Sequence, residues 1–103
     1  MARPDRNTDG DPAVASQVTL LFFSSSFCEP CMATRAVLEE VSRLVPATRF
    51  VELDVARATD EAERAGIRST PTVVVLDAAD REVFRAEGVP TVNQVLVALA
   101  KGV

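Results

Sequence analysis

The sequence predicts an α/β domain, a mixed four-stranded sheet flanked by helices, and three observations carry that prediction. Two nearly unbroken apolar runs, residues 18–24 (V-T-L-L-F-F-S) and Thr72–Leu76 (T-V-V-V-L), have the composition of strands covered on both faces. A segment of helical periodicity at 30–45 separates the first run from an alternating stretch at 48–55, which is a strand, helix, strand order. With 103 residues, 48% of them hydrophobic, one self-standing domain is expected.

Residues 1–17 are polar, with two prolines, a glycine and three aspartates, and they contain no apolar stretch of the signal-peptide kind. They read as a flexible tail ahead of a domain at 18–103, with room at 13–16 for one short strand. No run is long enough to span a membrane, so the chain reads as cytoplasmic. The net charge of −4 is spread over interspersed acids and bases, which offers no surface for nucleic acid or for a membrane.

The first run is a central strand, and Ser24, Ser25 and Ser26 form the loop that leaves its carboxyl end. From 30 to 45, Ala33, Val37, Val41, Leu44 and Val45 share one helical face, with Arg35, Glu39, Glu40, Ser42 and Arg43 elsewhere; Pro46 ends the helix. In 48–55, Val51, Leu53 and Val55 alternate with Phe50, Glu52 and Asp54, the pattern of a half-covered strand. A right-handed crossover makes these two strands parallel. Asp60 and Glu63 read as a capping box opening a short helix that Gly66 closes. After the second apolar run, Asp77-Ala78-Ala79-Asp80 is a polar turn into a strand at 81–86, giving an antiparallel hairpin. Gly88 and Pro90 break the chain. Thr91 with Gln94 caps a last helix with Val92, Val95, Leu96 and Leu99 on its apolar face, and Gly102 ends it.

The chemistry lies in Phe27-Cys28-Glu29-Pro30-Cys31, which holds both cysteines of the chain. A cysteine at the first turn of a helix meets unpaired N–H groups and the positive end of the helix dipole, which stabilise a thiolate. Cys28 is therefore the candidate nucleophile. Cys31, one turn on, is placed to attack a mixed disulfide formed on Cys28, and is the candidate resolving thiol. Pro30 suits a first turn because it has no N–H to leave unpaired. A C-x-x-C pair also occurs in zinc sites, but a four-coordinate site needs two more ligands and the chain has no histidine. No metal is expected within one chain, although two chains could share a metal or cluster through four sulfurs.

The F-C-E-P-C stretch resembles the W-C-G-P-C site of thioredoxins, and Arg68-Ser69-Thr70-Pro71-Thr72 is similar to the segment that holds the thioredoxin cis-proline. The resemblance runs from about residue 18 to the C-terminus. It implies a thioredoxin-like fold with sheet order 2-1-3-4 and helices on both faces. It implies a cis Pro71, with the Thr70 backbone turned towards the sulfurs to pair with an extended substrate strand. Phe27, Glu29, Pro30, Thr70, Pro71 and Gly88 then form the substrate-binding set, with Phe27 in an apolar docking patch where many thioredoxins have tryptophan. The implied activity is reduction of protein disulfides by a monomer, with no cofactor beyond the Cys28–Cys31 disulfide and with electrons from a thioredoxin reductase or a low-molecular-weight thiol. Two alternatives are a glutaredoxin-like or dedicated redox relay protein and a non-catalytic peptide-binding module.

The chain departs from the family in four places. The first strand and helix of full-length thioredoxins have no counterpart in the short polar leader, which leaves 48–55 as an edge strand whose Arg49, Glu52 and Asp54 discourage edge pairing. Phe22 stands where the family has a buried aspartate that helps deprotonate the resolving cysteine. With Asp54 aligned on the family's strand-end aspartate, Phe50 replaces the lysine paired with that buried aspartate, so an ion pair becomes apolar packing. Glu29 replaces a glycine, and its charge beside Cys28 opposes the thiolate.

Overall fold

The computed structural model describes residues 17–103; the tail and the short strand expected at 13–16 lie outside them, apart from Gln17. In chain order the elements are β1 (Thr19–Ser24), α1 (Glu29–Leu44), β2 (Arg49–Asp54), α2 (Thr59–Arg64), β3 (Thr72–Leu76), β4 (Glu82–Glu87) and α3 (Val92–Lys101). They build a sheet of order β2-β1-β3-β4, as the resemblance implied. β1 pairs parallel with β2 and antiparallel with β3, and β3 pairs antiparallel with β4.

The near-continuous apolar character of β1 and β3 follows from burial on both faces. Leu20 and Phe22 of β1 and Val73 and Val75 of β3 join Leu38 and Val41 of α1 and Val95, Ala98 and Leu99 of α3 in the larger core. On the other face Phe23 and Val74 pack with Ala62 of α2, with Leu21, Leu53, Val55 and Ile67 around them. Removal of this much apolar surface from water is the main stabilising term.

Four local expectations need correction. In α1 the buried residues are Cys31, Thr34, Leu38 and Val41, whereas Ala33 and Leu44, expected on the apolar face, are exposed. β2 is covered on both faces, because Phe50 packs against the larger core while Leu53 and Val55 join the smaller one. Polar alternation hid this, since a single aromatic, Phe50, on the face of Glu52 and Asp54 does not read as a second apolar face. Its Glu52 is also engaged rather than only guarding an edge, as described below. In α2 the N-cap is Ala58, with no side-chain cap, so Asp60 and Glu63 form no capping box; both lie inside the helix, where Asp60 and Glu61 are acids of the first turn.

The other stops hold. Gly66 adopts φ +69° after α2, a left-handed conformation that glycine takes without a Cβ clash. Asp77 Oδ1 accepts from the Ala79 and Arg81 N–H groups, both at 2.9 Å, and closes the hairpin turn. Thr91 and Gln94 make the expected reciprocal cap of α3. Gly102 sits against the start of β1, where an added Cβ would stand 3.0 Å from a methyl of Val18.

Candidate active site

β1 ends at a left-handed turn and α1 begins at once, which sets Cys28 at the carboxyl end of a central strand and the head of a helix. Cys28 is the N-cap of α1, in extended conformation, and its Sγ accepts the Cys31 N–H at 3.1 Å. The cysteine sulfur thus takes the place of the usual capping oxygen. Pro30 lies in the first turn, and its carbonyl accepts from the Thr34 hydroxyl at 2.8 Å. The two sulfurs are joined as a disulfide, with Cα atoms 5.1 Å apart. Cys28 is half-buried and Cys31 is 1% exposed, so the first sulfur is the accessible one.

Phe27 has φ +55° and is fully exposed. A bulky residue in the left-handed region is strained, and this ring recovers nothing through burial. Glu29 and Met32 are exposed beside it. The Thr70–Pro71 peptide bond is cis, as expected. The Thr70 hydroxyl meets that of Ser25 at 2.7 Å, which ties this segment to the loop before Cys28. Buried Pro71 gives its carbonyl to the Gly88 N–H at 2.9 Å, so that acceptor is not open to a substrate strand. Gly88 has φ +100° and leads to Val89, which is exposed.

The sequence reading missed a polar cluster behind the sulfurs. The Arg35 guanidinium donates from Nε and Nη2 to the two carboxylate oxygens of Glu52, at 2.9 and 2.6 Å. Glu52 Oε2 also accepts from the Ser24 hydroxyl at 2.8 Å. The guanidinium carbon stands 5.8 Å from the centre of the buried Phe22 ring. The hydrogen bonds from Arg35, then that from Ser24, hold Glu52 below its ordinary range against the opposing effect of burial; the same pairing raises Arg35. Sequence signals existed: Arg35 is four residues after Cys31 on a helix, and parallel register places Glu52 beside Phe22. Neither becomes visible as a pair until the register is known.

A cavity of about 440 Å³ is lined by Ser25, Ser26, Phe27, Cys28, Cys31 and Arg35, with Glu29 and Met32 at its wall. A second, of about 660 Å³, shares Ser25, Ser26 and Arg35 and continues to Glu52, Asp54 and Arg57. Among the described residues no group of three or more histidine, cysteine, aspartate or glutamate side chains is gathered for a metal. No helix among them is long and apolar enough to cross a membrane.

A helix-capping disulfide on a sheet of this order defines a thiol–disulfide oxidoreductase whose redox-active group is part of the chain. The family model Thioredoxin matches residues 6–101, and the chain belongs to that family. It is 27% identical over 89 residues to a thioredoxin of Chlamydia muridarum, covering 86% of each chain. It is 30% identical over 100 residues to thioredoxin H4-2 of Oryza sativa subsp. japonica, covering 95% of this chain and 70% of that one. In structure it is similar to a thioredoxin of Schistosoma mansoni, with a TM-score of 0.76, 20% identity, and coverage of 86% and 82%. Members of the family act on protein disulfides together with thioredoxin reductase.

Proposed function

We propose that the protein is a cytoplasmic protein-disulfide reductase, acting as a monomer in which Cys28 attacks and Cys31 resolves. The carrying observation is the contrast between the sulfurs: Cys28 caps the helix, receives a backbone N–H and is accessible, while Cys31 is buried beneath it. The Cys28 thiolate attacks one sulfur of a substrate disulfide, and the other substrate sulfur leaves as a thiolate. Cys31, losing its proton, then attacks Cys28 Sγ; the second substrate sulfur departs and takes up a proton. Two electrons pass to the substrate, and the Cys28–Cys31 disulfide remains. Electron transport continues when a reductase or a low-molecular-weight thiol returns two electrons to it.

In this reading Phe27 is an apolar docking contact for the partner, and Thr70, Pro71 and Gly88 form the platform beside it, braced by the Ser25–Thr70 and Gly88–Pro71 hydrogen bonds. Glu29 and Pro30 border the same surface. Reduction of insulin disulfides, with a dithiol as electron source, tests the proposal: turnover is expected from the parent and none from Cys28→Ser. Activity surviving in Cys28→Ser would overturn it. Comparing thioredoxin reductase with a low-molecular-weight thiol as donor separates a general reductase from a dedicated relay protein.

A further inference from the structure

Resolution requires a negative charge on a sulfur that is 1% exposed, and the backbone provides for the wrong one. The N–H at the head of α1 is spent on Cys28 Sγ. Phe22, in the same core cluster as Cys31, carries no charge and no proton acceptor. Burial by itself disfavours a thiolate there. Of the side chains lining the sulfur cavity only two are charged, Glu29, which opposes a thiolate, and Arg35, which favours one.

We propose that Arg35, clamped by Glu52 and Ser24, is a positioning residue for the resolving step, a fixed cation that readies the Cys31 sulfur for attack on the mixed disulfide. The proposal rests on Cys31 being the resolving thiol. Two of the five guanidinium N–H groups grip Glu52, which in turn is held by Ser24. The pair is oriented: Arg35 lines the cavity of the sulfurs, whereas Glu52 lines only the adjoining one. Arg35 therefore borders both cavities, one turn along α1 from Cys31, while its carboxylate partner borders only the cavity that the sulfurs do not line. The neighbours on other elements leave this balance in place. Phe22 and Ser24 of β1 are uncharged, and Asp54 and Arg57, of opposite sign, line the adjoining cavity with Glu52. Arg68, ahead of Pro71, is paired with Glu87 at 3.6 Å. In the step itself the Cys31 proton passes to solvent, the new Cys28–Cys31 bond forms, the bond from Cys28 to the substrate sulfur breaks, and the cation holds the attacking sulfur anionic until then.

The test is stopped-flow reaction of the reduced protein with excess neutral dithiodipyridine, followed across pH. Release of the first thiopyridone reports attack by Cys28, and the second, concentration-independent release reports resolution by Cys31. Arg35→Met is expected to raise the pH midpoint of the second phase by about one unit and to slow it about tenfold near pH 7. Arg35→Lys, which keeps a cation, should return the midpoint most of the way. A second-phase midpoint in Arg35→Met superimposable on that of the parent overturns the proposal, whatever the overall rate. Absence of a first phase in the parent would instead overturn the nucleophile assignment beneath it, so the two failures are distinct.

Discussion

The backbone N–H of Cys31 points at the sulfur of Cys28, 3.1 Å away, so the first cysteine of the pair caps the helix by accepting from the second. This one contact makes the two sulfurs unequal: it sets a backbone donor on Cys28 Sγ in the disulfide, and a donor so placed favours a thiolate there once the pair is reduced.

From that inequality, Cys31→Ser should still attack protein disulfides but accumulate mixed disulfides through Cys28. Cys28→Ser should form none. A non-reducing gel followed by mass spectrometry reads the outcome; adducts on Cys31 would reverse the assignment.

Phe27 is strained and unburied, so its presence is not explained by stability. Phe27→Gly should leave the urea midpoint unchanged or raise stability by up to about 1 kcal/mol, because glycine adopts a positive φ without penalty. Exchange with insulin should slow at the same time. A clear loss of stability would mean that the ring packs in solution.

Restoring the family's aspartate should fail. Phe22 is fully buried, and the nearest cation already serves Glu52. Phe22→Asp removes a large core side chain and buries a carboxylate beside another, at a cost of roughly 4 kcal/mol or more. Urea denaturation at neutral pH measures it, and a loss under about 1 kcal/mol would show that Arg35 can change partners.

Acid should weaken the fold in a stated window. Glu52 is held below its unfolded value, so its contribution is fully present above the usual glutamate range and is lost as pH falls through the folded value. Glu82 behaves likewise through Arg85. Glu52→Gln should cost on the order of 1 kcal/mol near pH 7 and flatten the decline below about pH 4.5. Denaturant midpoints of parent and variant across that range give the comparison.

The strands and the two sulfurs were legible because each is written locally, and the strand order followed from the family resemblance that the cysteine and proline segments carry. Leu20 to Phe23 must be buried on both faces wherever they lie, and a cysteine at the head of an amphipathic helix has its dipole from the neighbours in sequence. What escaped depends on register. Glu52 and Arg35 are 17 residues apart and belong to a strand and a helix, so their pairing is set by how β2 slides along β1. The same register turns Phe50 inward and gives β2 its second covered face. The start of α2 escaped for the opposite reason. Asp60 and Glu63 have the spacing of a capping box, but the helix starts at Thr59 after an uncapped Ala58, so the expected cap fell two residues late.

Gly102 rests against Val18, the residue before β1, so the last turn of α3 and the first strand meet at the end of the sheet away from the sulfurs. The Asp77–Arg81 turn lies at that end as well, because Leu76 pairs with Thr19. Topologically the described chain is almost a closed ring. A short linker joining residue 103 to residue 17 would complete it, and new ends cut within that turn would leave every contact around Cys28 and Cys31 intact. The same proximity suits the domain to insertion into a surface loop of another protein, entering and leaving at neighbouring points.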